Sequence, residues 1–126
     1  MFTIDNMSSV PVYEQLVRQI EGKVLAGEMK PGDPMPSVRE LADQLNVNHN
    51  TIQKAYTELE RRGLTASVPG RGRFLKEDAM KNLVAYLNAN VRPEFKNMLK
   101  GMLIAGATKK EVLEYVGKLL DEIENE

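Results

Sequence analysis

Between Asn46 and Tyr56 the chain reads Asn-Val-Asn-His-Asn-Thr-Ile-Gln-Lys-Ala-Tyr, which gathers short polar side chains where a helical apolar spacing begins. A helix start exposes backbone N–H groups without intrahelical partners and carries the positive end of the helix dipole, so it favours anions such as phosphate. Asn48, Asn50 and Thr51 are short enough to let an anion approach that backbone, and each adds a donor of its own. His49, Gln53 and Lys54 point away from the apolar side and reach further. Gln and Asn match the edge of adenine with paired hydrogen bonds, and the major groove of duplex DNA admits one α-helix. Taken singly, each of these residues also reads as solvated helix surface, with Asn48 an ordinary cap.

Two further places carry candidate chemistry. Arg39 lies opposite Val38, Leu41 and Ala42, in phase to face solvent. There it can pair with a nearby acid, which contributes about 0–1 kcal/mol, or make a bidentate contact to guanine or phosphate. Pro69-Gly70-Arg71-Gly72 is either a hairpin turn with solvent-facing arginine or a slim tip for the minor groove. Glycine allows close approach there, and arginine suits the negative potential. Arg61 and Arg62 read as ordinary helix-end cations.

The elements that must position these residues follow from periodicity and punctuation. Ser8 or Ser9 can cap a first helix, with Pro11 near its opening turn. Val12, Leu16, Val17, Ile20 and Val24 then repeat at helical spacing, and Gly27 ends them. Lys30 to Pro36 holds three prolines and a glycine and reads as an irregular connection. Ser37-Val38-Arg39-Glu40 is a capping box opening a short second helix, and Asn46 sits where the next turn needs a left-handed residue. Asn48 caps a third helix with Ile52, Ala55, Tyr56 and Leu59 inside and Gly63 as its stop. Two helices joined by so short a turn form a helix-turn-helix. Strand-like runs at Leu64–Val68 and Arg73–Lys76 flank the Gly-rich turn and predict a β-hairpin, a wing.

From Asp78 the helical pattern returns. Leu83, Leu87, Val91, Phe95, Met98 or Leu99, and Met102 keep phase across Pro93, predicting one helix bent near Val91–Pro93 or two helices joined there. Thr108-Lys109-Lys110-Glu111 is a second capping box, opening a last helix with Val112, Leu113, Val116, Leu119, Leu120 and Ile123. The expected architecture is mainly α with a small β-hairpin. A winged helix-turn-helix domain spans residues 1–76, and a short two- or three-helix dimerisation region spans residues 77–126.

Composition narrows the function class. The chain has 126 residues, 42% of them apolar, and a net charge of −1. That fits one compact domain, or a small domain with an appendage, and argues against indiscriminate coating of nucleic acid. The charge is unevenly spread. Residues 48–76 carry Lys54, Arg61, Arg62, Arg71, Arg73 and Lys76 against Glu58 and Glu60, a local +4. A basic segment on a near-neutral chain points to a directed anionic contact. There is no cysteine and one histidine, so no thiolate chemistry and no nucleophile–base arrangement stands out. The expectation is a non-enzyme with no metal and no cofactor. No apolar run of membrane-spanning length and no secretory signal is read, so the expected place is the cytoplasm, without membrane partners.

In order and spacing, these residues resemble the GntR family of bacterial transcription regulators. The resemblance rests on Pro36-Ser37-Val38-Arg39-Glu40-Leu41-Ala42, on Val47 through Tyr56, on Leu59-Glu60-Arg61-Arg62-Gly63-Leu64 and on Gly70-Arg71-Gly72-Arg73-Phe74. It covers about residues 8–76, and the brief helical C-terminal part is similar to the YtrA subfamily. The resemblance implies that Arg39 and residues 49, 50, 51 and 53 meet the major groove, and that Gly70, Arg71 and Gly72 meet the minor groove or its phosphates. His49 departs from the family's frequent Pro or Arg, Asn46 from its Gly, and Thr65-Ala66 from its Ile-Glu.

One winged module covers few base pairs, whereas a symmetric pair reads two half-sites roughly 34–36 Å apart. Leu83, Leu87, Val91, Phe95, Met98, Leu99 and Met102 are therefore the expected homodimer interface, and a pseudo-palindromic operator in double-stranded DNA is the expected partner. Packing of these helices back onto their own winged domain is the competing placement. The leading function is a sequence-specific repressor. The alternative is a winged-helix adaptor that docks a protein without sequence-specific DNA binding. The family's general behaviour also leaves room for an unidentified small-molecule effector.

Overall fold

The structure, a computed structural model, describes residues 2–126. Its elements are α1 (Val12–Leu25), α2 (Val38–Leu45), α3 (His49–Arg61), β1 (Thr65–Val68), β2 (Gly72–Leu75), α4 (Ala79–Tyr86), a π-helical turn (Leu87–Val91), α5 (Arg92–Ile104) and α6 (Lys109–Glu124). They form two compact units, one ending at Tyr86 and the other running Leu87–Glu126. The division thus falls ten residues later than the sequence boundary after Lys76, because α4 packs on α1.

The first unit is a winged helix-turn-helix built around one core. Leu16, Val17, Ile20 and Val24 of α1 meet Leu41 and Ala42 of α2, Ile52, Ala55, Tyr56 and Leu59 of α3, Leu64 and Leu75 of the hairpin, and Ala79 and Leu83 of α4. Leu83 is fully buried there, so its assignment to an interface between copies is corrected. Its place in the helical register brings it under α1 and leaves it nothing to offer a second chain.

Other local expectations meet different physics. The first helix begins after Pro11, whose carbonyl accepts from Glu14 and Gln15 N–H at 3.0 and 3.1 Å, and no serine side chain caps it. Ser8 instead accepts from Val10 N–H at 3.1 Å, a local turn outside the helix. Ahead of α1, the backbone of Thr3 and Asp5 is held by the side-chain amides of Gln19 and Gln15, which donate and accept at 2.6–3.0 Å. The proline-rich connection is more ordered than expected. Met35 N–H donates to Arg73 O at 2.8 Å, Leu75 N–H to Asp33 O at 2.9 Å, and Pro34 bridges Phe74. Proline has no N–H to give, so this third edge cannot extend into a full strand.

The hairpin pairs antiparallel with Thr65 opposite Leu75 and Val68 opposite Gly72. Its tip closes through Arg71 N–H to Val68 O at 2.9 Å, with Gly70 at φ 76° and Gly72 at φ 100°. Those angles suit glycine because a Cβ would strain them.

In the second unit, Pro93 occupies the first turn of α5, directly after the π-helical turn. Proline removes one N–H and crowds the carbonyl four residues back, and a widened turn accommodates both. Thr108 and Glu111 complete a reciprocal capping box on α6. Within this unit Val112 is buried, while most other large apolar side chains are exposed.

Candidate nucleic-acid interface

The turn between α2 and α3 is set by Asn46, whose φ of 54° and ψ of 48° place it in the left-handed region. Asparagine tolerates that conformation better than most residues. Ser37 caps α2 by accepting from Glu40 N–H at 3.1 Å, which starts the helix on the residue before Arg39. Asn48 caps α3, its Oδ1 accepting from Asn50 N–H at 2.7 Å. That bond takes one first-turn donor an anion would otherwise use, so Asn48 acts first as a structural cap.

Asn48, His49, Asn50 and Gln53 are exposed, and Thr51 is half-buried. His49 Nε2 lies 3.8 Å from Asp43 Oδ1 at the far side of the turn. Gln53 lies along α3, donating to Thr57 Oγ1 at 3.2 Å. Lys54 is exposed, but its ammonium sits 4.0 Å from the Tyr13 ring centroid, on the side of α1. A cation–π contact at such a site is worth about 0.5–1 kcal/mol, comparable to an exposed ion pair and weak enough for Lys54 to leave it.

Arg39 and Arg71 are exposed and pair with no acid among the described residues. The ion-pair alternative open for Arg39 in the sequence is therefore not formed. A groove runs between the start of α2 and the wing, lined by Pro36, Ser37, Val38, Glu40 and Tyr56 on one side and by Ser67 through Arg73 on the other. Gly70, Arg71 and Gly72 form its outer lip.

Tyr56 forms the floor. Its hydroxyl donates to Pro36 O at 2.7 Å, and burial pushes its pKa up to about 12. The Arg73 guanidinium lies 5.2 Å from its ring centroid. Arg73 thereby braces the wing against α3, a role no sequence signal gave.

Arg61 and Arg62 differ from one another. Arg61 pairs with Glu58 on the exposed flank of α3. Arg62 is largely buried, bonding Glu21 of α1 and Glu58 at 2.9 Å each and stacking 4.3 Å from the Tyr86 ring centroid. It joins α1, α3 and α4, so the reading as a helix-end cation holds for Arg61 alone. The hydrogen bonds from Arg61, with those from Arg62 beside them, hold the Glu58 carboxyl down at about 2.

Among the described residues no group of three His, Cys, Asp or Glu side chains could hold a metal ion, and no helix is long and apolar enough to cross a membrane. What the first unit offers is a capped helix start, two exposed arginines without acid partners, and a groove with a glycine-rich lip.

Comparison with known proteins agrees with this geometry. The HTH-type transcriptional repressor YtrA of Bacillus subtilis (strain 168) is 39% identical over 119 residues, covering 94% of this chain and 92% of the relative. A GntR family transcriptional regulator from Listeria monocytogenes superposes with a TM-score of 0.72 at 35% identity, over 91% of this chain and 98% of that one. The crystal structure of AraR(DBD) in complex with operator ORX1 superposes with a TM-score of 0.52 at 31% identity, covering 60% of this chain and 94% of that one. The family model described as "Bacterial regulatory proteins, gntR family" matches residues 12–75, which contain α1 through β2, and the chain belongs to that family.

Proposed function

We propose that this chain is a transcriptional repressor that binds an inverted-repeat operator as a homodimer, with α3 in the major groove and the wing against the minor groove. The observation that carries the reading is the pair of exposed arginines without acid partners, Arg39 in the first turn of α2 and Arg71 at the wing tip, on the same winged unit as the capped start of α3. Left in water, such side chains add little to folding, whereas guanine and phosphate offer them bidentate partners. His49, Asn50, Thr51 and Gln53 supply hydrogen-bonding groups on the same helix start, and Lys54 can swing from Tyr13 to a phosphate. The name of the B. subtilis relative supports repression, and the operator in the AraR structure supports duplex DNA as the ligand.

A pair of copies is supported by the second unit. Phe95, Met98 and Ile104 of α5 are 47%, 61% and 87% exposed, and Leu113, Leu120 and Ile123 of α6 are 60%, 53% and 59% exposed. Val91 is exposed too, and Leu87, Leu99 and Met102 are half-buried. So much uncovered apolar surface on two helices is what an obligate interface between copies would remove from water. The α6 residues had a visible helical spacing but were absent from the expected interface.

Selection of bound sequences from random duplex DNA, with sedimentation of the free protein, tests the reading. The expected result is a dimer and an inverted repeat with half-site centres roughly 34–36 Å apart. Arg39→Ala is expected to lose about 1–3 kcal/mol of specific binding while remaining dimeric. No enriched sequence and no salt-sensitive shift would instead favour a protein-docking module.

A further inference from the structure

Glu60 stands where the helix dipole disfavours an acid. It is the penultimate residue of α3, at the negative end of that dipole, and it is exposed. Glu58 in the same turn is offset by Arg61 and Arg62, but Glu60 has no cation partner among the described residues. Instead, one of its oxygens, Oε1, accepts two neutral donors from the wing, Ser67 N–H at 3.1 Å and Ser67 Oγ at 2.9 Å. Ser67 Oγ also accepts from Nε of its cross-strand neighbour Arg73 at 3.3 Å.

We propose that Glu60 is a positioning residue that ties the wing to α3, so that Arg71 is presented at a set distance from the helix start. The proposal rests on the DNA-binding reading above. The hairpin is short and its far end is open to solvent, with Ser67, Val68 and the whole tip exposed. β1 packs against α3, and the Glu60 bonds hold it there at Ser67, on the rung where Arg73 of β2 lies against Tyr56. Two neutral donors on one oxygen make this a tether that needs an acceptor rather than a charge. A carboxylate near DNA is repelled by phosphate, and the wing placement it provides offsets that repulsion.

The test separates position from charge. Glu60→Ala removes both acceptor and charge; Glu60→Gln removes the charge and keeps the carbonyl acceptor. Each variant is titrated with a duplex recovered by selection on the wild-type protein, and amide exchange at Ser67 and Arg71 is followed without DNA. Expected are about fivefold weaker binding and faster exchange for Glu60→Ala, from the loss of two modest hydrogen bonds. Glu60→Gln should match or exceed wild-type affinity with wild-type exchange. In the Glu60→Ala background, Arg71→Ala should cost less than it does alone, a coupling that independent sites lack. Tighter binding by both Glu60 variants would make Glu60 merely repulsive and overturn the proposal. Unchanged exchange in Glu60→Ala would overturn the tether whether or not DNA is bound. A wild-type protein that selects no duplex would remove the DNA reading and this proposal with it, while the exchange data would still report on the tether.

Discussion

At the scale of single residues, neighbouring polar side chains on α3 divide between holding the fold and facing outward. Asn48 spends its oxygen on Asn50 N–H, whereas Asn50 and His49 keep their side chains exposed. Glu58 illustrates the folding side. Its carboxyl is held at about 2, below the ordinary 4.5, first by the hydrogen bond from Arg61. Because the folded value lies below the unfolded one, this contribution is present above about 4.5 and is lost as pH falls through about 2. Glu58→Gln should therefore melt lower than wild type near neutrality and lose less stability on acidification across that window. Melting temperature against pH for the two proteins checks this, and parallel curves would contradict it. Both arginines stand at helical spacing from Glu58, three and four residues on, so the pairing is local; only the Glu21 contact that fixes Arg62 comes from another helix.

At the scale of elements, joints matter more than the helices themselves. Gly63 ends α3 at φ 81°, and a Cβ there would lie 2.8 Å from Nδ2 of Asn82, which donates to Gly63 O at 2.7 Å. The glycine thus serves as a stop, which its position after Leu59 announces, and as a docking point for α4, which nothing local announces. Gly63→Ala should destabilise the winged unit by about 2 kcal/mol or more, combining left-handed strain with displacement of Asn82. Denaturant unfolding measures it, and a neutral outcome would mean that Asn82 moves freely. The helices α2 and α3, the turn at Asn46 and the wing were all legible beforehand. They rest on caps, apolar spacing and glycines that act within a few residues. The edge formed by Asp33 to Met35 was not, because its hydrogen bonds go to residues about forty positions away.

At the scale of the whole molecule, apolar residues of one continuous pattern have opposite fates. Leu83 is fully buried in the winged unit, whereas Phe95 and Ile104 are 47% and 87% exposed in the second unit. Leu83→Ala should lower the stability of the winged unit by about 3 kcal/mol, the cost of a core cavity, and leave association intact. Phe95→Glu with Ile104→Glu should do the reverse, giving a folded monomer with weak operator binding. Sedimentation and thermal melting on the same samples separate the outcomes. A dimeric double variant would remove α5 from the proposed interface.

By itself the amino-acid sequence did not show the end of α4 at Tyr86 or the π-helical turn after it, but it determined which segments are helix, and that the polar start of α3 and the glycine-rich tip belong to one winged module. Those properties depend on backbone sterics, caps and periodicity, all short-range. Only the tertiary structure decided that Leu83 serves the core, that Arg62 is an internal strut while Arg61 is not, that Arg39 and Arg71 stay unpaired, and that Glu60 grips Ser67. Helical phase gives the direction of a side chain relative to its own axis, but its partner depends on which distant element the packed core brings alongside.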